Sequence, residues 1–179
     1  ADSGDEDVNP QSPYAESKYK SENILNNLSK DHELDYCILR LGTIFGPSIG
    51  MRFHTAVNKF CWQANFNKPI TVWSSALHQK RPYLGINDAI SAIYFIIEND
   101  LFKKDTFDVV TQNFSVNDVI NILKEIHKSV KIEFIDSEIM NDYSFSVSTK
   151  KIRDLGMIFE DDLKEQIKET AKILKNYDL

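Results

Sequence analysis

The sequence predicts an α/β fold with a mostly parallel sheet, and three observations carry that prediction. Short apolar runs of strand length alternate with longer segments whose apolar residues recur every three or four positions. The runs are separated by strong local signals: Ser12-Pro13, Gly46-Pro47, Asn87 before a helical segment and Gly156 after another. The composition, 179 residues with 42% hydrophobic and 27% charged side chains, is that of a chain long enough to bury a core.

Each element follows from local chemistry. Ser12 is a good helix N-cap, and Pro13 suits the first helical position because its missing N–H would have no partner there. A helix is therefore predicted from Pro13 to about Ser29. Asp35–Leu41 (DYCILRL) has the length and apolar content of a buried parallel strand. Residues 42–50 (GTIFGPSIG), with three glycines and a proline, interrupt regular structure. A helix over about Arg52–Asn65 places Phe53, Val57, Phe60 and Cys61 or Ala64 on one face. Pro69–Trp73 and Arg81–Ile86 read as short extended pieces. Asn87 caps a helix through Asn99 that turns Ala89, Ala92, Ile93, Ile96 and Ile97 inward. Thr106–Thr111 is a strand. Ser115–Asp118 resembles a capping box with Asp in place of Glu, opening a helix to about His127. Val130–Ile135 alternates as a strand, and residues 141–150 are irregular. A short helix ends at Gly156. Asp162–Tyr177 forms a last helix with Leu163, Ile167, Ala171 and Leu174 in one stripe.

The same sequence narrows the function classes. A net charge of −6 disfavours nucleic acid and anionic membrane as partners. The longest dense apolar stretch, Ala89–Ile97, is too short to span a bilayer. The chain starts with acidic and turn-forming residues, so no secretory leader is expected. Cys37 and Cys61 lack metal-ligand spacing and read as reduced core thiols of a cytoplasmic protein. The histidines form no zinc helix, so no metal is expected.

The segment SPYAESKYKSEN, Ser12–Asn23, places Tyr14 and Lys18 four residues apart on one helix face. Such a pair is either two exposed side chains on a solvated face or a proton-transfer device. A phenol ordinarily titrates near ~10, so a base role near neutrality calls for an adjacent cation. Two further segments give the pair a context. LRLGTIFGP, Leu39–Pro47, runs a buried strand into a glycine-rich turn, and ligands of open α/β sheets sit outside strand carboxyl ends. TVWSSALHQKRPYLGINDA, Thr71–Ala89, places His78, Lys80 and Arg81 just before a helix. Taken alone, Arg81 reads as a surface ion pair and Trp73 as core. Gly42, Gly46 and Gly50 read as turn glycines.

In this order, PYAESK, LRLGTIFGP and RPYLGINDAISAI resemble the second half of the extended short-chain dehydrogenase/reductases. These are the NAD-dependent nucleotide-sugar epimerases and dehydratases, which carry P-Y-x-x-S-K, then L-R-x-x-N-(V/I)-(Y/F)-G-P, then R-D-(Y/F)-x-x-V-x-D-x-A. The resemblance spans almost the whole chain. It implies that Tyr14 is the acid/base and that Lys18 lowers its pKa and binds the nicotinamide ribose. Gly42 would border the nicotinamide. Thr43 falls where the family usually has an Asn on the sugar nucleotide. Arg81 would bind the substrate diphosphate with its fixed guanidinium fork, with Arg52 as a further phosphate candidate. Trp73 would lie beside the nucleotide base. Pro82 and Gly85 depart from the family pattern.

The family's glycine-rich dinucleotide fingerprint is absent, since the six glycines cannot be arranged to make it. The resemblance therefore implies a C-terminal portion: the last elements of a Rossmann-like parallel sheet plus a small α/β substrate-binding domain. Residues 1–46 would belong to the former and 47–179 mainly to the latter, with strand 106–111 returning to the Rossmann sheet. The implied cofactor is NAD or NADP, bound mainly by an N-terminal half, so that this chain alone would be inactive. The implied substrate is a nucleotide-diphosphate sugar, in a cytoplasmic enzyme of polysaccharide biosynthesis that is a homodimer when complete. The alternative is a non-catalytic sugar-nucleotide-binding or scaffold module derived from such an enzyme.

Overall fold

In the computed structural model, residues 10, 12–127, 129–136 and 144–176 are described. Along the chain lie α1 (Pro13–His32), β1 (Cys37–Leu41), β2 (Thr43–Phe45), α2 (Ala56–Asn65), β3 (Ile70–Trp73) and β4 (Lys80–Gly85). They are followed by α3 (Ile86–Glu98), β5 (Asp105–Val109), β6 (Gln112–Ser115), α4 (Val116–Ile126), β7 (Ile132–Ile135), α5 (Lys150–Asp154) and α6 (Leu163–Lys175). The predicted end of the last helix, Tyr177, and residues 141–143 of the irregular stretch lie outside the described residues.

Pairing is mainly parallel. Strand β1 runs beside β5, with Cys37 opposite Asp105 and Leu41 opposite Val109. Strand β2 runs beside β4, with Thr43 opposite Tyr83, and β3 beside β7, with Ile70 opposite Ile132. The β4–β6 pairing is antiparallel, with Lys80 opposite Ser115. Two of these strands are absent from the sequence reading. β2 lies inside the glycine-proline stretch, and β6 follows β5 almost directly. Strands of three and four residues have too little periodicity to be legible, and their backbone bonds depend on β4 as a partner.

Two apolar clusters hold the elements together. One gathers Val57, Phe60 and Cys61 of α2, Val119, Ile120 and Leu123 of α4, and Leu163, Ile167 and Leu174 of α6. Phe45, Tyr83 and Phe114 join it from the three-stranded sheet, with ring centroids 6.0–6.4 Å apart. The other packs Ala89, Ala92 and Ile96 of α3 on Phe107 and Val109 of β5, with Ile152 and Met157 beside them. Burial pushes the Cys61 thiol up to about 12, as for a core cysteine, whereas Cys37, also read as core, is only half-buried at the start of β1.

Three helix details differ from the sequence reading. Helix α2 starts at Ala56, with Thr55 as its N-cap, so Phe53 lies outside it and is exposed. On α3, Ile93 and Ile97 are 47% and 56% exposed and do not face the core. The N-cap of α3 is Gly85, and Asn87 sits inside the helix. The cap side chain comes from elsewhere. Asp161 accepts hydrogen bonds from the Asp88 N–H at 3.0 Å and from Asn87 Nδ2 at 2.9 Å. A Cβ on Gly85 would fall 2.1 Å from Asp161 Oδ2, so the glycine makes room for that carboxylate. By contrast, the Ser115–Asp118 capping box forms as the sequence predicts. Ser115 Oγ accepts from the Asp118 N–H at 3.2 Å, and Asp118 Oδ2 accepts from the Ser115 N–H at 2.8 Å.

Among the described residues no helix is long and apolar enough to cross a membrane.

The buried Asp88 carboxylate accepts the Glu160 N–H at 2.8 Å and the Thr111 hydroxyl at 2.5 Å, so Asp88→Ala is expected to lower unfolding free energy by about 2–4 kcal/mol in urea titration, because those donors lose their acceptor. Gly85→Ala should also destabilise, and an unchanged urea midpoint would rule out the Asp161 clash. The hydrogen bonds from Ser115 hold the Asp118 carboxyl below its ordinary value. Its contribution is therefore complete above the unfolded value of about 4 and is lost as pH falls through the lower folded value. Asp118→Asn should flatten that part of the acid unfolding curve.

Candidate functional site

Helix α1 sets the first part of the site. Ser12 Oγ accepts the Ala15 N–H at 3.2 Å and Pro13 opens the first turn, which carries Tyr14. The helix is fastened to β1 by Arg40, whose Nε and Nη2 donate to the two oxygens of Glu22 at 2.9 and 2.6 Å. Tyr36 donates a further bond to Asn26. Tyr14 is 72% exposed, and the Lys18 ammonium lies 5.6 Å from its ring centroid.

Tyr14 shares a cleft of about 570 Å³ with Gly42, Thr43 and Arg52. That volume is in the range of small-molecule sites. Gly42 lies where the chain passes from β1 to β2, and its N–H donates to the Val109 carbonyl at 2.9 Å. A Cβ there would stand 3.2 Å from the Pro82 carbonyl oxygen and 3.3 Å from the Tyr83 carbonyl carbon. Gly42 thus permits a close backbone approach. Gly46 is a true turn glycine at φ +109°, and its N–H donates to the buried Asn58 Oδ1 at 3.2 Å. That bond ties the loop to α2.

Trp73 and Arg81 line a second cleft, of about 500 Å³. Trp73 ends β3 and is 47% exposed, so it is not core. Arg81 lies on β4. Its Nη2 donates to Gln79 Oε1 at 2.9 Å, its Nη1 to the Lys80 carbonyl at 3.0 Å, and its guanidinium stacks 5.3 Å from the Phe145 ring centroid. It is part of a local network, not a solitary surface charge. Phe145 is held by its own N–H to the Lys80 carbonyl at 3.2 Å. Asn113 grips the following segment at Val147 through both the N–H and the carbonyl, at 2.9 and 3.1 Å. Burial pushes the Tyr83 phenol up, with Arg81 opposing, so it keeps its proton near neutrality.

The seven residues chosen from the sequence are distributed as follows. Tyr14, Gly42, Thr43 and Arg52 line the first cleft, and Trp73 and Arg81 the second. Lys18 lines neither but stands beside Tyr14. Sequence reading missed His54, which lines both clefts, and Lys59 and Tyr83 in the second. Starting α2 at Arg52 placed His54 inside a helix, whereas it lies in the loop before α2. Thr55, a residue type favoured at N-caps, was the available signal that the preceding residues are loop. Among the described residues no cluster of His, Cys, Asp and Glu is placed to hold a metal.

A profile of the NAD-dependent epimerase/dehydratase family matches residues 1–110, more than half of the chain. The chain belongs to that family. Among curated relatives, the ADP-L-glycero-D-manno-heptose-6-epimerase of Brachyspira hyodysenteriae is 28% identical over 131 residues, 70% of this chain and 41% of its own. The dTDP-D-glucose 4,6-dehydratase of Bos taurus is 23% identical over 174 residues, 91% of this chain and 47% of its own. The chain spans about half the length of the curated relatives it matches. A solved structure of UDP-glucuronic acid 4-epimerase from Bacillus cereus, in complex with UDP-glucuronic acid and NAD, superposes with a TM-score of 0.84 at 21% identity. The superposition covers 98% of this chain and 57% of that one. The fold is therefore the Rossmann-like α/β class expected from the sequence.

Asn113→Ala removes both bonds to Val147. It is expected to cost about 1–2 kcal/mol and to speed hydrogen exchange at the Val147 amide. Unchanged exchange there would show that other contacts hold the segment against Arg81.

Proposed function

We propose that the chain supplies the acid/base and substrate-binding part of an NAD-dependent epimerase or dehydratase acting on a nucleotide-diphosphate sugar. The observation that carries this reading is the first cleft. Tyr14 faces it together with Gly42 and Thr43 while the Lys18 ammonium stands 5.6 Å from the Tyr14 ring.

The residues present fit the nicotinamide end of NAD. Tyr14 offers a polar group on the wall it shares with Gly42, which adds no side chain there, and Lys18 stands beside Tyr14. NAD, when bound, supplies the hydride acceptor for a sugar carbon. Tyr14, as phenolate, takes the proton of the hydroxyl on that carbon, and the phenol so formed returns it in the reverse step. Lys18, with its ammonium 5.6 Å from the Tyr14 ring centroid, is the cation that accompanies Tyr14 in this reading. Thr43 offers a hydroxyl to the sugar. Arg52 and Arg81 bind phosphate oxygens, and Trp73 offers a flat face to the nucleotide base. Holding phenol and sugar in one cleft is itself a source of rate, since it removes the entropy of encounter.

The pyrophosphate of the dinucleotide needs a glycine-rich turn that these 179 residues do not contain. Residues 1–46, with β5 paired to β1, form the edge of the dinucleotide-binding domain in this reading. Residues 47–179 otherwise form the substrate domain. The apolar clusters cross that boundary: Phe45 joins the cluster of α2, α4 and α6, while Leu84, α3, Ile152 and Met157 pack with β5. Assembly as a homodimer and a cytoplasmic role in polysaccharide biosynthesis are finer parts of the same proposal.

The 179 residues alone are expected to bind NAD weakly and to show no turnover. Tight NAD binding in calorimetry with conversion of any nucleotide sugar would refute that. In an enzyme that also carries the dinucleotide-binding half, Tyr14→Phe should lower kcat by about 10²–10⁴-fold. Nucleotide-sugar binding, followed by thermal shift, should persist. Undiminished turnover would remove Tyr14 from the acid/base role.

A further inference from the structure

We infer that His54 is a further ligand-binding residue, whose imidazole holds the phosphate bridge of one ligand seated in both clefts. The inference rests on the nucleotide-diphosphate-sugar reading above, and three observations support it.

Among the described residues, His54 is the one side chain common to the two clefts. A ligand that passes from one cleft to the other passes this imidazole. The charged lining is also of one sign. Arg52 lines the first cleft, Lys59 and Arg81 the second, and no Asp or Glu lines either among the described residues. This holds although the chain carries 27 acidic and 21 basic side chains. Clefts that exclude carboxylates from an acidic protein suit an anionic ligand. The two ends differ in chemistry as well. The first offers the phenol of Tyr14 and the hydroxyl of Thr43, which suit a polyol. The second offers the exposed ring of Trp73, which suits a flat base.

A sugar at one end and a base at the other leave the diphosphate between them, where His54 lies. Neutral imidazole donates one N–H to a phosphate oxygen, and imidazolium donates two. Because His54 is exposed and lies in a loop before α2, replacing it should leave the core intact.

Calorimetric titration of the 179-residue chain with inorganic pyrophosphate and with UDP tests the inference. His54→Asn is expected to weaken both by about tenfold, the size of one charge-assisted hydrogen bond. Lys172→Gln, at an exposed lysine on α6, should leave both unchanged. The imidazole proton resonances of His54 should move on titration with pyrophosphate. If His54→Asn binds both probes as the unaltered chain does while Arg81→Gln binds them more weakly, the inference fails and the diphosphate reading stands. Equal weakening by Lys172→Gln would mean diffuse charge attraction and would also overturn the inference. If neither probe saturates the unaltered chain, the inference and the diphosphate reading fall together.

Discussion

Two carboxylates that cap each other's backbone fix the centre of this structure. Asp88 is 3% exposed. It accepts hydrogen bonds from the Glu160 N–H at 2.8 Å, the Asp161 N–H at 3.3 Å and the Thr111 hydroxyl at 2.5 Å. Asp161 in turn accepts from the Asp88 N–H, from Asn87 Nδ2 and from Gln166 Nε2, the last at 2.7 Å. Thr111 completes the circuit by accepting the Gly85 N–H at 2.8 Å. A buried carboxylate such as that of Asp88 is tolerable only when its oxygens are satisfied, and here they are satisfied by groups far apart in sequence. The end of β4, the start of α3, the turn from β5 to β6 and the segment leading into α6 are joined at one point.

The clefts depend on that junction. β4 carries Arg81 and Tyr83 into the second cleft, and its Pro82–Tyr83 backbone is the surface that Gly42 approaches closely. The loop after β2 is held from two sides. Asn58 takes the Gly46 N–H, and Gln166 packs so near Gly46 that a Cβ there would fall 2.4 Å from its Oε1. Glycine at position 46 thus meets two demands, a positive φ and contact with an amide from α6. The first cleft gathers segments from α1, the β1–β2 passage and the start of α2, while β4 and the 144–147 segment position Arg81 beside it. A site assembled from so many segments needs a rigid centre, and the paired aspartates provide it.

Much of the fold was legible because its causes are local. Ser12 and Pro13 define the start of α1, the Ser115–Asp118 box defines α4, and the stripe Leu163, Ile167, Ala171 and Leu174 defines the buried face of α6. The paired motif residues Tyr14 and Lys18 were legible for the same reason, since four-residue spacing on a helix fixes their proximity. What was not legible has causes distant in the chain. β2 exists because β4 lies beside it. Ile93 and Ile97 share the helical spacing of Ala89, Ala92 and Ile96, and only the packing of α3 on β5 shows which side is buried. That His54 lines both clefts depends on β3 and β4 lying on one side of it and the β1–β2 passage on the other.

The sequence by itself determined the α/β order, the helix starts with local caps, the pairing of Tyr14 and Lys18 on one face of α1 and the family resemblance. Each depends on residues close in the chain, where backbone geometry alone sets the spacing. Only the tertiary structure decided that Gly85 caps α3 with a carboxylate 76 positions away, and that Asn87 does not. Only it decided that Trp73 and Arg81 line a cleft next to the one holding Tyr14, with His54 between. The physical reason is the same in both cases. Both depend on which distant segments packing brings side by side, and neither composition nor periodicity records that choice.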